Sequence, residues 1–254
     1  MTSFTSFEDL TKLVSKINLS EVRCVIIHSD LLAFGPYLPF KENILEDLVT
    51  LLEDQIIFIP SFTIKSFIRN GIYDICDSQP ETGALPRLAH RSNWIRTTNP
   101  MHSYFASRHD PLFDDFFKYP TDNYKTYSFG HESILQTLSS TASVFQLGCF
   151  HNTFVHHAEA LVSVPYRYNK NFCGTSIFGS VKRKVHNTMY VRNNDFSGIE
   201  ESDRVSRFYD FAETDLCVEM QAPKTLCRFF KASDYLSYTV DRIQKNPLYL
   251  TSLA

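Results

Sequence analysis

The stretch His151-Asn152-Thr153-Phe154-Val155-His156-His157-Ala158-Glu159 holds three of the nine histidines and one carboxylate. Phe154, Val155, Ala158, Leu161 and Val162 recur near helical spacing, which predicts a helix. Positions three apart lie on one helix face, so His156 comes beside Glu159. A carboxylate next to an imidazole raises its pKa and fixes its tautomer, as a general base requires. His157 points roughly 100° around the helix from His156. A His-Glu-x-x-His signature is absent, so no metal site is expected from the cluster His151, His156, His157 and Glu159.

Other stretches carry binding chemistry. His28-Ser29-Asp30-Leu31 leaves the end of a first apolar run, and Pro60-Ser61-Phe62-Thr63 leaves a second. In α/β sheets the carboxyl ends of parallel strands are where ligands bind. Arg96-Thr97-Thr98-Asn99-Pro100-Met101-His102-Ser103 combines a fixed charge, hydroxyls and a proline-stiffened turn, and Arg can hold phosphate through its fork. Phe129-Gly130-His131-Glu132-Ser133 precedes an apolar helix that Ser133 can cap. Gly-x-Ser-x-Gly, phosphate-loop and dinucleotide signatures are absent.

These residues need a scaffold, and the apolar pattern supplies one. Phe7 to about Ile17 reads as a helix capped by Ser6, followed by a strand from Glu21 to His28. A helix from Glu42 to Asp54 and a strand Ile56–Ile59 come next, with Gly35-Pro36 and Pro39 breaking the chain between. Helix, strand, helix, strand implies a parallel pair joined by a crossover. Residues 64–82 read as irregular, and Gly83 to His90 as a short helix. Trp94–Thr98 and Ser103–Ala106 read as extended pieces, and Pro111–Phe117 and Ser133–Ser140 as short helices. Val144–Gly148 is a buried strand. Beyond Pro165 the pattern loosens to a strand at Lys184–Val191 and a helix from about Ala232. The expected fold is therefore α/β, one domain over residues 1–254, with a central, mostly parallel sheet flanked by helices. The 254 residues suffice for it, at 43% hydrophobic and 21% charged. A net charge of −3 gives no footprint for nucleic acid. There is no run long enough for a membrane span and no secretory leader is expected. Six scattered cysteines without a Cys-x-x-Cys pair suit a reduced cytoplasm.

Taken in order, these pieces resemble the antibiotic N-acetyltransferase family, known best from the aminoglycoside 3-N-acetyltransferases. The matching residues are His28-Ser29-Asp30-Leu31 with Gly35, then Pro60-Ser61-Phe62-Thr63 and Thr82-Gly83-Ala84-Leu85. Arg96 through Ser103, Phe129-Gly130 with Ser133, and Asn152-Thr153 with His156, Ala158 and Glu159 follow, and Val164-Pro165-Tyr166-Arg167 continues the pattern. The matches are colinear over about residues 25 to 172. The resemblance implies acetyl-CoA-dependent transfer of an acyl group to an amine on a sugar. It makes His156 the general base, oriented and charge-stabilised by Glu159, with Asn152 and Thr153 at the same catalytic motif and Thr153 or loop amides as oxyanion donors. It places acetyl-CoA along His28, Ser29, Asp30, Leu31, Ser61, Thr63 and Ser103, with Arg96 near its phosphates.

The chain departs from that pattern at Asn99-Pro100, where many antibiotic-modifying members have His-Pro, and at Ile134, where they have proline. Its charge is nearly balanced, with 28 acidic and 25 basic residues. These departures favour an acceptor that is a nucleotide-linked amino sugar for surface polysaccharide, with Arg167, Lys170, Lys182 and Arg183 as phosphate contacts. The alternatives are an aminoglycoside 3-N-acetyltransferase proper, a metal-dependent hydrolase using the histidine cluster, and a non-catalytic binding module. The sequence leaves the oligomeric state open, a homodimer included.

Overall fold

The computed structural model describes residues 7–34, 43–196, 201–222 and 225–251. Ser6, Gly35, Pro36, Pro39 and Glu42 lie outside them. The first half builds α1 (Phe7–Val14), β1 (Cys24–Ser29), α2 (Ile44–Leu51), β2 (Ile56–Pro60), α3 (Ile64–Asn70), β3 (Ile72–Asp74), α4 (Ala84–His90), β4 (Ile95–Arg96) and β5 (Tyr104–Ala106). It continues through α5 (Asp114–Phe117), β6 (Tyr124–Tyr127), α6 (Ile134–Thr141), β7 (Ala142–Leu147) and α7 (Phe154–Leu161). The remainder adds β8 (Arg167–Phe178), β9 (Val181–Arg192), α8 (Glu201–Ala212), β10 (Cys217–Ala222), β11 (Thr225–Lys231) and α9 (Ala232–Lys245).

Seven strands form the main sheet in the order β10-β11-β7-β1-β2-β5-β4. Its centre, β7-β1-β2, is parallel. The strands on both sides run antiparallel, so the sheet is mixed and its parallel part is confined to three strands. The central strands are near-continuous apolar runs because both faces are covered. Cys24 and Ile26 of β1 join Phe58 and Val144 on one face, with α6, α7 and α9 packed there. Val25 and Ile27 join Ile57, Ile59 and Phe145 on the other, under α1, α2 and α4.

A second sheet, β3-β8-β9-β6, is only partly anticipated by the sequence pattern. Its centre is a long antiparallel ribbon, pairing Arg167 with Arg192 at one end and Phe178 with Val181 at the other. Residues 64–82, expected to be irregular, contain α3 and β3. Glu81 explains the helix: its two carboxylate oxygens accept the Lys65 and Ser66 amides at 2.9 and 2.7 Å, a cap contributed from outside the helix. Gly174 of β8 lets the ribbon approach α3. A Cβ there would come within 2.5 Å of the Gly71 carbonyl oxygen and 2.6 Å of the Phe67 ring. Among the described residues, no helix is long and apolar enough to cross a membrane.

Candidate active site

The parallel centre of the main sheet delivers three strand ends to one edge. There the exits of β1, β2 and β7 and the start of α7 enclose a cavity of about 800 Å³. Its wall includes His28, Ser29 and Asp30 from β1, Pro60 and Phe62 from β2, the 148–153 turn, and His156. This is the sheet edge at which α/β folds bind ligands. Gly148 makes the turn after β7 feasible. It adopts φ +71°, and a Cβ would meet Ala33 and the Phe34 ring at 3.0 Å.

The helical spacing of His156 and Glu159 produces the expected contact. His156 Nδ1 lies 2.7 Å from Glu159 Oε2, with Glu159 fully buried and His156 part-exposed at the cavity. Arg167 at the start of β8 brings Nε to 2.7 Å from the same Oε2, an ion-pair contact on a side chain only 9% exposed. Asn152 is held by its Oδ1, which accepts the Phe154 amide at 3.0 Å. Its Nδ2, buried at the cavity wall, has no hydrogen-bond partner. A buried donor without a partner is costly in a folded chain, and such groups mark places where a ligand completes the bond. Thr153 Oγ1 lies 3.1 Å from His28 Nε2. Burial lowers the His28 pKa to about 3, with His151 adding to the effect, so this ring is neutral.

Five residues expected at the acyl donor do not line the cavity. Ser61, Thr63, Arg96 and Ser103 are all buried behind the cavity wall. Arg96 Nε lies 3.2 Å from both Ser61 Oγ and Ser103 Oγ. Its Nη2 donates to the Ser61 carbonyl at 2.8 Å and its Nη1 to the Ser78 carbonyl. The guanidinium also lies over Tyr73 and Phe105, 5.2 and 5.0 Å from their ring centres. A cation so enclosed ties three loops together and does not present its fork to a phosphate. Thr63 Oγ1 donates to the Pro100 carbonyl at 2.6 Å. Leu31 is buried in a 3-10 turn, Leu31–Phe34, beneath the β1 exit.

The residues expected to contact a nucleotide diphosphate are placed differently too. Arg167 is half-buried against Glu159, and Lys170, Lys182 and Arg183 lie on the β8–β9 ribbon, none of them on the cavity wall. His157 is fully buried, its Nδ1 accepting the Gly130 amide at 3.2 Å, and burial lowers its pKa to about 4. Sequence reasoning also passes over His102. Its ring lies between Phe62 and Phe129, at 4.6 and 4.7 Å, with Nδ1 2.8 Å from Ser128 Oγ. Phe129 in turn packs edge-on against His156 at 5.6 Å. The only sequence signal for His102 is its place in the proline-stiffened turn.

This fold is shared with solved acetyltransferases. A structure described as AAC-IIIb binary with CoASH matches with a TM-score of 0.76 at 15% identity, over 95% of this chain and 97% of that one. The YokD protein from Bacillus subtilis matches at 0.75 and 16%, over 97% and 96%. AAC-VIa bound to sisomicin matches at 0.74 and 14%, over 96% and 98%. None of the curated proteins compared by sequence matches. The aminoglycoside 3-N-acetyltransferase family model matches residues 26–244. The chain belongs to this family and, with it, is a CoA-dependent acetyltransferase.

Proposed function

We propose that the cavity transfers the acetyl group of acetyl-CoA to an amine of an aminoglycoside-type sugar, with His156 as general base. The observation that carries this reading is the His156–Glu159 pair at the cavity, 2.7 Å apart and next to the unpartnered Asn152 donor. The chain acts as one acyltransferase domain, and its six free cysteines suit the cytoplasm.

The residues fit the acyl donor. A cavity of about 800 Å³ has room for a thioester and an amine side by side. Acetyl-CoA supplies the activated acyl group. The chain's own residues do the rest. Glu159 holds Nδ1 of His156, so Nε2 is the nitrogen that takes the proton from the acceptor amine. Asn152 Nδ2 is placed to donate to the acyl oxygen as negative charge develops on it, and Thr153, held by His28, is its neighbour in that role. Ser29 and Asp30 at the β1 exit line the cavity and would meet the acyl donor there.

The acceptor class rests on the family and on the sisomicin and gentamicin held by structural relatives. One observation favours the second reading, a nucleotide-linked amino sugar for surface polysaccharide. Among its described residues, the cavity wall carries only two carboxylates, Asp30 and Glu81. Both oxygens of Glu81 are already engaged by backbone amides. Polycations call for surplus carboxylate. The test is a thiol-release comparison at low salt, pairing aminoglycosides with nucleotide-linked amino sugars. The proposal expects the aminoglycosides to be turned over with the higher kcat/KM. Turnover of the nucleotide-linked sugars alone would move the acceptor to the second reading, and release with neither would remove the amino-sugar assignment.

A further inference from the structure

Glu159 Oε2 is shared. His156 Nδ1 and Arg167 Nε each lie 2.7 Å from it, so the two nitrogens are at most about 5.4 Å apart. A lone carboxylate in that position would hold the imidazole protonated, and a protonated imidazole cannot accept a proton from an amine. We propose that Arg167 is a positioning residue that sets the basicity of His156 by sharing Glu159 with it. This rests on the assignment of His156 as the general base.

Arg167 is built for that part. It is anchored away from the cavity, with Nη1 donating to the Tyr190 carbonyl at 3.2 Å and its own amide to the Val164 carbonyl at 3.4 Å. It therefore belongs to the β8–β9 ribbon, while His156 and Glu159 belong to α7, and the second sheet is joined to the catalytic helix through this contact. The guanidinium acts on His156 in two ways. It draws part of the Glu159 field to itself, and its own charge disfavours imidazolium at short range.

The other groups around His156 do not reproduce this effect. Burial lowers both His28 and His102 to a pKa of about 3, so neither changes charge near neutrality. Tyr190 is pushed up to about 12, chiefly by burial, and its hydroxyl donates to the Val164 carbonyl at 2.9 Å. Asp30, Glu81 and His151 share the cavity wall with His156, and both Glu81 oxygens accept backbone amides of α3. Of the helices packed on α7, α6 has no ionisable side chain. On α9, Asp234 is half-buried at its first turn, and Asp241, Arg242 and Lys245 are exposed.

The sign follows from the charge. Removing the guanidinium makes imidazolium easier to form, so the His156 pKa rises and the base stays protonated to higher pH. The experiment is an NMR titration of the histidine rings in the wild type, R167M and R167K, with the His156 signal assigned by its loss in H156N. A pH profile of kcat/KM is recorded for each. The expected result is a rise of about one unit or more in R167M, with the acid limb of kcat/KM moving the same way, and a value within about half a unit of wild type in R167K. A purely structural role predicts equal losses of activity at every pH and no difference between the two variants. If R167M does not fold, R167Q gives the same neutral-against-cationic contrast. Coincident His156 titrations in wild type and the neutral variant, or equal shifts in the neutral and lysine variants, would overturn the proposal. The titration needs no acceptor, so it is decided separately from the acetyl-transfer reading.

Discussion

H156N is expected to lower turnover by about 10²–10⁴-fold at saturating acetyl-CoA and acceptor, while the fold keeps its stability to within about 1 kcal/mol. The loss corresponds to about 3–5 kcal/mol of transition-state stabilisation. It falls on the chemical step because His156 meets the cavity and its Nδ1 is held by a buried carboxylate at 2.7 Å. It spares the fold for a separate reason. Glu159 retains its ion pair with Arg167 after the imidazole is gone, so no buried charge is left alone. Steady-state kinetics and a urea melt on the same preparation check both halves. Turnover within about threefold of wild type would remove His156 from the reaction.

R96A is expected to cost about 3–5 kcal/mol of stability, read as a lowered midpoint of denaturant unfolding. Arg96 is 5% exposed, and its nitrogens serve the carbonyls of Ser61 and Ser78 and the hydroxyls of Ser61 and Ser103. Truncation removes four donor contacts, to the Ser61 and Ser103 hydroxyls and the Ser61 and Ser78 carbonyls, and leaves a void beside Tyr73 and Phe105. Acetyl-CoA affinity, measured by calorimetry well below the melting temperature, is expected to change far less than stability does. An unchanged midpoint with a tenfold weaker acetyl-CoA complex would return Arg96 to the donor site.

The contrast between His156 and Arg96 shows what the sequence can carry. The His156–Glu159 contact is set by helix geometry alone, three residues apart, and is legible without any tertiary information. The strands β1, β2 and β7 are legible because burial on both faces writes a continuous apolar run. The fate of Arg96 depends on Ser61, Ser78 and Ser103, which only the folded loops bring around it, and Arg is a residue type that composition places outside. Helix α3 is hidden for a similar reason, since Glu81, the residue that caps it, is 15 or more positions away from the amides it accepts. Strand β8 carries Asn169, Lys170, Asn171 and Gly174 with much of its length exposed, and it is a strand because β9 pairs with it along its whole length. The charge of Arg167 suggests a phosphate contact, and its proximity to Glu159 becomes visible only with the turn from α7 into that ribbon.

The most direct test of the reaction itself is product stoichiometry. Purified protein is incubated with acetyl-CoA and an amino-sugar acceptor, free thiol is followed by its reaction with a chromogenic disulfide, and the acceptor is weighed by mass spectrometry. The account predicts one N-acetylated amine for each thiol released, at a rate at least about a hundredfold above H156N. Thiol release without an acetylated amine, or equal rates in the wild type and H156N, would contradict it.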